Sequence, residues 1–364
     1  CGSLRFDHVF PVEQEYSVAI GLANSADVRQ IAELRLFALD DDLLGRRPFK
    51  GDLHLHSNRS DGVESPAYVV GASRRIGLDF TTVTDHFQYD PSLEAMRAFG
   101  SIDTDLRIYP GEEVHPPGNS THMINFGGRF SINALFDSGA YREEVDALGD
   151  RLTGFPDWAD RYPYASCLWC CDKIREAGGL AVLCHPSWVY RGRYDVPQYL
   201  VDLLFEHQPF DALELVGGYH PFELESNALQ IARYHDERAQ GRRIPIVGAS
   251  DSHGCEEGEL FGWYYTVVFA PSLELSDLIE SVKDLYSVAV EDLPGQPPRA
   301  FGPFRLVRYA QYLLREVFPL HDELCVEEGR LMLAYLAGDT QAAEALRLLC
   351  GRTAALYDHL WSGG

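Results

Sequence analysis

The chain has 364 residues, 46% of them hydrophobic and 24% charged, which is enough apolar sequence to bury a large core and excludes a disordered chain, a collagen-like chain and a small disulfide scaffold. Lys and Arg number 31 against 55 Asp and Glu, and the net charge of −24 argues against binding that neutralises a nucleic-acid backbone. No apolar run approaches the roughly 18–20 residues that span a bilayer, so neither a nucleic-acid polymer nor a membrane is an expected partner.

Residues 1–50 predict a small β segment in front of the main domain. Between Glu15 and Leu22 polar and apolar residues alternate, which is typical of a strand with one buried face. A second strand-like run, from Glu33 to Leu39, ends in an acidic turn. We interpret these residues as a β cap that leads into the main domain.

From Gly51 onwards the chain alternates between short apolar, β-branched runs and helical stretches. The predicted strands cover residues 51–56, 79–84, 106–109, 179–184, 211–216 and 244–249, and the main predicted helices cover 167–177 and 223–240. Such alternation indicates an α/β domain on a mostly parallel sheet, which we expect to close into a barrel. We assign residues 51–290 to this domain.

A segment rich in Pro and Gly, residues 291–303, predicts a linker or a domain edge. Beyond it, residues 304–318 and 323–360 carry apolar stripes at helical spacing. We therefore expect residues 291–364 to form a helical C-terminal appendage. It contains no constellation of metal ligands, so its expected role is structural or in oligomerisation, and the sequence leaves the oligomeric state open.

Eight cysteines are scattered along the chain, and a core of the expected size does not need disulfides. They predict reduced thiols in a cytoplasmic protein. Cys167, Cys170 and Cys171 look like half of a zinc knuckle, but no second pair follows at a suitable spacing. Because the three fall in a predicted helix, we expect them to be buried as small apolar side chains.

Histidines and carboxylates recur where the predicted strands end. The residues that carry this pattern are His54, His56, Asp61, His86, Glu113, His122, His185, Asp251 and His253. The carboxyl ends of parallel strands meet on one face of an α/β barrel, and residues two apart in an extended segment point the same way. Such groups are costly to bury unless they are paired or bound to metal. The pattern therefore predicts a metal centre, and imidazole with carboxylate suits Zn, Mn or Fe.

Five segments in this order, GDLHLHSNRSDG, TVTDH, PGEEV with His122, CHP and SDSH, resemble the PHP (polymerase and histidinol phosphatase) superfamily of metal-dependent phosphoesterases. The resemblance covers about residues 51–270 and implies a distorted (β/α)7 barrel with up to three metals. It implies three ligand sets: His54, His56, Asp251 and Glu113 for the first metal, Glu113 with His122 and His185 for the second, and Asp61, His86 and His253 for the third. All nine positions are filled, so we expect two to three divalent metals and an active domain.

Two acidic residues next to these ligands need a separate interpretation. In Gly111-Glu112-Glu113 the family spacing selects Glu113, and strand alternation allows only one of the two carboxylates to face the metals. Glu112 is then expected to support the site or to pack behind it. Asp85 precedes His86 and points away by the same alternation, so we expect it to orient a neighbouring imidazole.

The ligand chemistry implies hydrolysis of phosphate esters. A water between two divalent cations loses a proton near neutral pH, and this metal-bridging hydroxide would attack phosphorus, with Glu113 and Asp251 as the catalytic metal ligands. Candidate substrate contacts are Arg59, which is equally well interpreted as a solvated loop residue, Arg191 and Arg193 beside Trp188 and Tyr190, and His220, a candidate proton donor to the leaving group. His115 and Glu214 occupy similar places with weaker claims.

Two other functions stay open. The stretch PGEEVHPPGNSTHMINFGG also resembles PHP-related enzymes that cleave aryl carbamate esters, so a non-phosphate ester or carbamate hydrolase is one alternative. The other is a non-catalytic accessory PHP module, against which the full ligand set counts. We favour a small-molecule phosphate ester, because three hard ions suit a dianionic phosphomonoester. The sequence defines neither the exact substrate nor the metal.

Overall fold

The computed structural model describes residues 7–23, 28–153, 155, 158–219, 224–256 and 260–361. Its first element is an antiparallel hairpin of β1 (Gln14–Ala23) and β2 (Val28–Ala38). Both strands predicted within residues 1–50 are confirmed, and they pair with each other. A short helix, α1 (Asp41–Leu44), connects the hairpin to the main domain.

The remaining strands are short, and most of them are buried. In chain order they are β3 (Arg47–Asp52), β4 (Phe80–Thr81), β5 (Arg107–Ile108), β6 (Gly111–Val114), β7 (Met123–Phe126), β8 (Leu180–Leu183), β9 (Val189–Tyr190), β10 (Arg193–Tyr194), β11 (Ala212–Val216), β12 (Ile246–Gly248), β13 (Tyr264–Ala270), β14 (Ser287–Glu291) and β15 (Arg299–Phe301).

Helices separate these strands and complete the C-terminal part. In chain order they are α2 (Pro66–Arg75), α3 (Asp90–Phe99), α4 (Ala140–Arg151), α5 (Arg161–Glu176), α6 (Gln198–His207), α7 (Glu225–Ala239), α8 (Leu275–Lys283), α9 (Phe304–Glu316), α10 (Phe318–Leu336), α11 (Ala342–Leu349) and α12 (Arg352–Trp361). A 3₁₀ helix covers Asn133–Asp137. Within the described ranges, none of these helices has the length and apolar character needed to cross a membrane.

Two larger sheets position the predicted ligands. The first has the strand order β15-β14-β13-β3-β4-β5, the second has the order β12-β11-β8-β7-β6, and β9 pairs with β10 in a separate ribbon. Isolated bridges join the two sheets, Leu55 with Ser252 and His86 with Glu113. The segments that follow β3, β4 and β12 are therefore held beside β6, and their polar residues converge.

The α/β class is confirmed, whereas the mostly parallel sheet is only partly right. The pairs β3–β4, β4–β5, β8–β11 and β11–β12 run parallel, but β6–β7, β7–β8, β3–β13, β13–β14 and β14–β15 are antiparallel. Residues 115–122, between β6 and β7, are too few for the crossover of about a dozen residues that a parallel pair needs. Across the described ranges the strands do not close into one barrel, so the (β/α)7 barrel stays a prediction.

The segment 291–303 is more than the linker that its composition predicted. It contains the last residue of β14 and all of β15, which adds an antiparallel edge strand to the first sheet. Pro294, Gly295, Pro297 and Pro298 lie between the two strands, and Gly295 adopts a left-handed conformation (φ 75°) that favours glycine. The ion pair between Arg299 and Glu291 joins the two strands.

Helix α5 shows why the cluster of cysteines is structural. The helix begins after Asp160, whose side chain accepts a hydrogen bond from the backbone N of Tyr162 (2.9 Å). Cys167, Cys170 and Cys171 are fully buried in the apolar core. Burial raises the pKa of the Cys167 thiol to about 11. The cysteines of the described ranges are free thiols, and the prediction that Cys167, Cys170 and Cys171 are buried in a helix as small apolar side chains is confirmed.

The predicted C-terminal helices are confirmed, and α10 packs closely against α2. Gly329 of α10 lies so near to α2 that a Cβ added to it would meet the backbone N of Arg75 at 2.2 Å. The neighbouring Arg74 is completely buried and pairs with Asp79 (3.0 Å) and with Glu328 of α10 (2.6 Å). Close packing and buried charges therefore fix these helices to the main domain.

Candidate metal centre

The site begins with the two histidines that follow β3. His54 and His56 are fully buried, and their ring centroids are 5.1 Å apart, so both point into one cavity as the alternation predicts. The loop after them folds back tightly at Gly62, where a Cβ would meet the carbonyl carbon of His56 at 2.7 Å. Glycine at this position lets the chain place Asp61 near the same cavity.

The first predicted ligand set is assembled around two carboxylates. Asp251 Oδ1 lies 3.1 Å from His54 Nε2 and 2.9 Å from His56 Nε2. Glu113 Oε2 lies 3.6 Å from each of these two nitrogens. Four potential ligand atoms thus surround one point at separations typical of donors that share an ion.

The second predicted set uses the other oxygen of the same carboxylate. Glu113 Oε1 lies 2.9 Å from His122 Nδ1 and 3.5 Å from His185 Nε2. Glu113 is fully buried, and its two oxygens face different groups of imidazoles. Its position between the two sets is the one that a bridging carboxylate needs, so strand β6 has the register that the sequence indicated.

The third predicted set lies nearer to solvent. Asp61 Oδ2 is 3.4 Å from His86 Nε2, and Asp61 Oδ1 is 3.3 Å from His253 Nε2. The His253 ring stacks on the ring of His56, with centroids 4.2 Å apart. All nine predicted ligands therefore lie in one continuous cluster.

Strained backbone accompanies several of these side chains. His185 and Asp251 have positive φ angles of 24° and 52°, and Phe87, next to His86, has a φ of 61°. Non-glycine residues rarely adopt this region, and such strain concentrates at functional sites where the surroundings enforce it. Next to Asp251, Gly218 (φ 67°) leaves room for the carboxylate, which a Cβ there would approach to 3.2 Å.

The charges within the cluster act strongly on one another. Burial alone would lower the pKa of His54, but Asp251, Glu113 and Glu214 together raise it well above its usual value. At His56, burial outweighs the effects of Asp251 and Glu113 and lowers the pKa to about 4. The imidazoles hold the pKa of Glu113 well below its ordinary value despite burial. The imidazoles likewise hold the pKa of Asp251 below its ordinary value despite burial.

These side chains fit divalent metal ions. In the described part of the chain, the ion pairs of Glu113, Asp251 and Asp61 involve histidines, and neither Lys nor Arg. Buried atoms of the cluster that lack a hydrogen-bond partner there are His54 Nε2, His56 Nδ1, Glu113 Oε1 and Oε2, His122 Nδ1 and His185 Nδ1. Unpaired buried donors and acceptors are costly, and cations would satisfy the carboxylates and imidazoles together. The cluster is a candidate site for divalent metals.

The residues behind the ligands differ in part from expectation. Glu112 is fully buried behind the ligands, as expected. It accepts hydrogen bonds from Ile132 N (2.5 Å), Ser131 Oγ (2.8 Å), Asn133 Nδ2 (2.9 Å) and Asn125 Nδ2 (3.2 Å). Asp85 forms no hydrogen bond or ion pair with an imidazole of the described residues, contrary to expectation. It accepts from the N and Oγ atoms of Ser57 and Ser60, because the loop after His56 turns back over it and supplies closer donors.

Two further residues belong to the site although their sequence signal was weak. Glu214 Oε2 lies 2.9 Å from His54 Nδ1, where it orients the ring and leaves Nε2 for the first set. His115 Nε2 lies 3.2 Å from Glu113 Oε2. The available signal was spacing, since Glu113 and His115 are two apart in the chain, as His54 and His56 are.

The predicted substrate contacts differ in their partners and in how near they lie to the ligands. Arg59 forms a bidentate pair with Glu94 (2.8 and 2.9 Å), as expected for a loop residue that already has a partner. Arg191 lies over the ring of Tyr190, and Arg193 is exposed in β10. Trp188 is nearer to the ligands, with its ring 5.7 Å from that of His122. His220 lies outside the described residues.

A second cluster of potential ligands, Asp79, His321 and Cys325, is better explained as a buried ion pair. His321 Nε2 lies 2.8 Å from Asp79 Oδ1, and Arg74 Nη1 lies 3.0 Å from the same oxygen. The buried Lys50 is another cation here, and its Nζ atom pairs with Asp322 Oδ2 (2.9 Å). These cations neutralise the carboxylates, so a metal ion has no charge to compensate here.

Comparison with known proteins finds solved structures that are similar to part of this chain. No family model matches the chain, and no curated protein matches it. A solved two-domain protein of Bacteroides vulgatus that contains a predicted PHP-like metal-dependent phosphoesterase is 20% identical, with a TM-score of 0.41, over 67% of this chain and 65% of that chain. This chain therefore spans slightly less than two thirds of that protein.

Two further solved structures show similar scores. A proposed metal-dependent phosphoesterase of Bifidobacterium adolescentis is 21% identical over 57% of this chain and 89% of its own, with a TM-score of 0.36. An amidohydrolase of Chromobacterium violaceum is 20% identical over 58% and 89%, also with a TM-score of 0.36. The chain is thus similar to PHP-like metal-dependent phosphoesterase structures at low identity.

Proposed function

We propose that this protein is a metal-dependent hydrolase that cleaves phosphate esters of small molecules. The observation that carries the proposal is the cluster of three ligand sets around Glu113, whose carboxylates have histidine neighbours and no Lys or Arg partner within the described ranges. We further propose that two to three Zn, Mn or Fe ions bind there, in a distorted (β/α)7 barrel of the PHP type. Residues 1–50 would cap this domain, and the helices after β15 would buttress it.

The chain's own residues would divide the work as follows. Bound divalent metals would supply positive charge to the phosphoryl oxygens and an activated water. Glu113 and Asp251 would hold the first two ligand sets at a fixed separation, because the buried Glu113 carboxylate and the half-buried Asp251 carboxylate each lie between imidazoles. Glu214 would keep the His54 ring oriented. His220 stays our candidate for protonating the leaving group.

The third ligand set favours a phosphomonoester over a neutral ester. Asp61, His86 and His253 are partly exposed at the edge of the cluster, where they could serve a further oxygen of a dianionic substrate. A neutral ester offers one carbonyl oxygen and would leave this set without a role. The net charge of −24 also favours a small metabolite over a nucleic-acid polymer.

The segment after His185 would hold the organic part of the substrate. The Trp188 ring lies 5.7 Å from the His122 ring and 5.6 Å from the Tyr190 ring, and Tyr190 is 45% exposed. Arg191 and Arg193 extend this aromatic surface with positive charge. A cytoplasmic location and a small-molecule partner complete the proposal.

A specific observation also favours a second candidate, hydrolysis of aryl carbamates or other neutral esters. Arg59, the candidate phosphate contact nearest to the ligands in the chain, is already paired with Glu94. An aromatic surface beside the ligands would suit an aryl leaving group equally well. We place this candidate second because it leaves the third ligand set unused.

Turnover of a substrate panel tests the proposed function. The panel contains an aryl phosphate, nucleoside monophosphates, sugar phosphates, histidinol phosphate and aryl carbamates, each assayed with added Mn²⁺ or Zn²⁺. We expect phosphate release, with loss of turnover in Asp251→Ala as the matched control. Turnover of the carbamates alone would overturn the phosphate assignment and leave the metal site intact. Preference for long single-stranded DNA would favour a nuclease instead.

A further inference from the structure

His115 lies inside the metal centre, although none of the three ligand sets uses it. Its side chain is 13% exposed, and its ring is 3.8 Å from that of His122 and 4.8 Å from that of His86. His122 belongs to the second ligand set and His86 to the third. His115 therefore occupies the gap between these two sets.

The backbone around His115 is held in place from behind. Asn133 Oδ1 accepts a hydrogen bond from the backbone N of His115 (3.1 Å), and Asn133 Nδ2 donates to the carbonyl of Glu113 (2.8 Å). The same Nδ2 also donates to the buried Glu112. One buried amide thus binds the backbone of Glu113 and of His115, so their relative position is built into the fold.

The ring of His115 presents its Nε2 atom to two members of the centre. His115 Nε2 is 2.9 Å from His86 Nδ1 and 3.2 Å from Glu113 Oε2. When His86 uses Nε2 toward Asp61 and His253, its Nδ1 atom carries the ring proton and must donate it. Glu113 Oε2 also lies close to this nitrogen (2.5 Å), but the proposed function commits the Glu113 oxygens to metals. Among the described residues, the other acceptor within hydrogen-bond distance of His86 Nδ1 is His115 Nε2.

We propose that His115 is a positioning residue that controls binding of the third metal, by accepting the Nδ1 proton of His86 and so fixing the His86 ring toward Asp61 and His253. This inference rests on the proposed function, since it presumes that the third ligand set binds an ion. A histidine ligand whose second nitrogen is hydrogen-bonded is a better-oriented and more basic ligand. Loss of such a partner lowers metal affinity by about 10–100-fold.

The test measures Zn²⁺ binding at graded free Zn²⁺ by elemental analysis of the full chain. Two variants separate hydrogen bonding from packing. His115→Phe keeps a ring against Phe87 and His122 but cannot accept a proton, whereas His115→Gln places an amide oxygen near the position of Nε2. His235→Gln, at an exposed position on α7, is the control. Asp61→Asn identifies the third site, because it removes a ligand charge there.

We expect the wild type to bind three Zn²⁺. His115→Phe should bind two of these ions with unchanged affinity and the third, at the Asp61, His86 and His253 set, about 10–100-fold more weakly. His115→Gln should restore most of that affinity, and His115→Phe should add little loss to Asp61→Asn. The inference would be overturned if His115→Phe bound all three ions with wild-type affinity, or if it lost two or more ions. It would also be overturned if both His115 variants lost the same affinity for the third ion, or if the wild type bound fewer than three ions. A wild type that binds three ions without hydrolysing phosphate esters would instead overturn the proposed function and leave the role of His115 intact.

Discussion

Replacing Glu113 by Gln tests the ligand assignment, and Glu112→Gln is its matched control in the same strand. Glu113 Oε1 and Oε2 face imidazoles of all three ligand sets, with separations from 2.5 Å to 3.6 Å. An amide removes the negative charge and turns one oxygen into a donor directed at these groups. Loss of a hydrogen-bond partner of a metal ligand already lowers metal affinity by about 10–100-fold. Because Glu113 is itself a predicted ligand, we expect Glu113→Gln to lower metal affinity and kcat/KM by more than about 100-fold.

The control changes the same atoms in a different place. Glu112 accepts from four donors and touches none of the predicted ligands, so a Gln there leaves an amide NH₂ facing other donors. A mismatch of this kind costs about 1–3 kcal/mol of folding free energy. We expect Glu112→Gln to keep its metals and most of its activity while unfolding at a lower urea concentration. Elemental analysis, turnover and urea denaturation measure the three quantities. Greater loss of metal or activity in Glu112→Gln would show that the register of β6 is wrong.

Three further predictions concern the ligands, the buried ion pairs and the helix packing. His56→Ala and Asp251→Ala should each lose metal and activity together, and a variant that keeps its metals would count against the first ligand set. Burial opposes charge on His321, but Asp79 and Asp322 raise the pKa of His321 well above its usual value. The contribution of the charged His321 to the unfolding free energy is therefore complete below pH 6.5 and is lost as the pH rises through the raised folded-state pKa. The unfolding free energy of the wild type should therefore exceed that of His321→Gln at pH 6 and approach it at alkaline pH, and parallel pH profiles would refute this. Gly329→Ala should cost about 1–3 kcal/mol through its contact with α2, whereas Gly139→Ala, with open space around it, should be neutral in urea denaturation.

The clustering of the nine candidate ligands could be predicted because histidines and carboxylates recur near the ends of predicted strands, whereas their division into three ligand sets came from the resemblance to the PHP superfamily. Residues at i and i+2 in extended backbone share a face, which placed His54 with His56. Alternation allowed only one of Glu112 and Glu113 to face the metals, and the spacing of the PHP motif selected Glu113. The same rule applies to His115, but a single histidine after a strand carries little weight until its neighbours in space are known. Glu214 was weak for the same reason, since its contact with His54 joins residues far apart in the chain.

Other features depend on contacts that a sequence does not display. Strand β7 has four residues, Met123–Phe126, and its short apolar run gives no sign of the antiparallel pairing with β6 and β8. Asp85 was expected to orient an imidazole because alternation fixes only the face of a side chain. Its partners, Ser57 and Ser60, are brought to that face by the turn of the following loop. The helical pattern of α10 likewise predicted a helix, but not the fit of Gly329 against α2.

Elemental analysis of protein never exposed to chelator, combined with anomalous scattering at the metal edges from its crystals, tests the existence of the metal centre most directly. We expect two or three transition-metal ions per chain, with Glu113 between the first two and with Asp61, His86 and His253 around any third. Protein without transition metal, or with anomalous peaks away from these residues, would contradict the account.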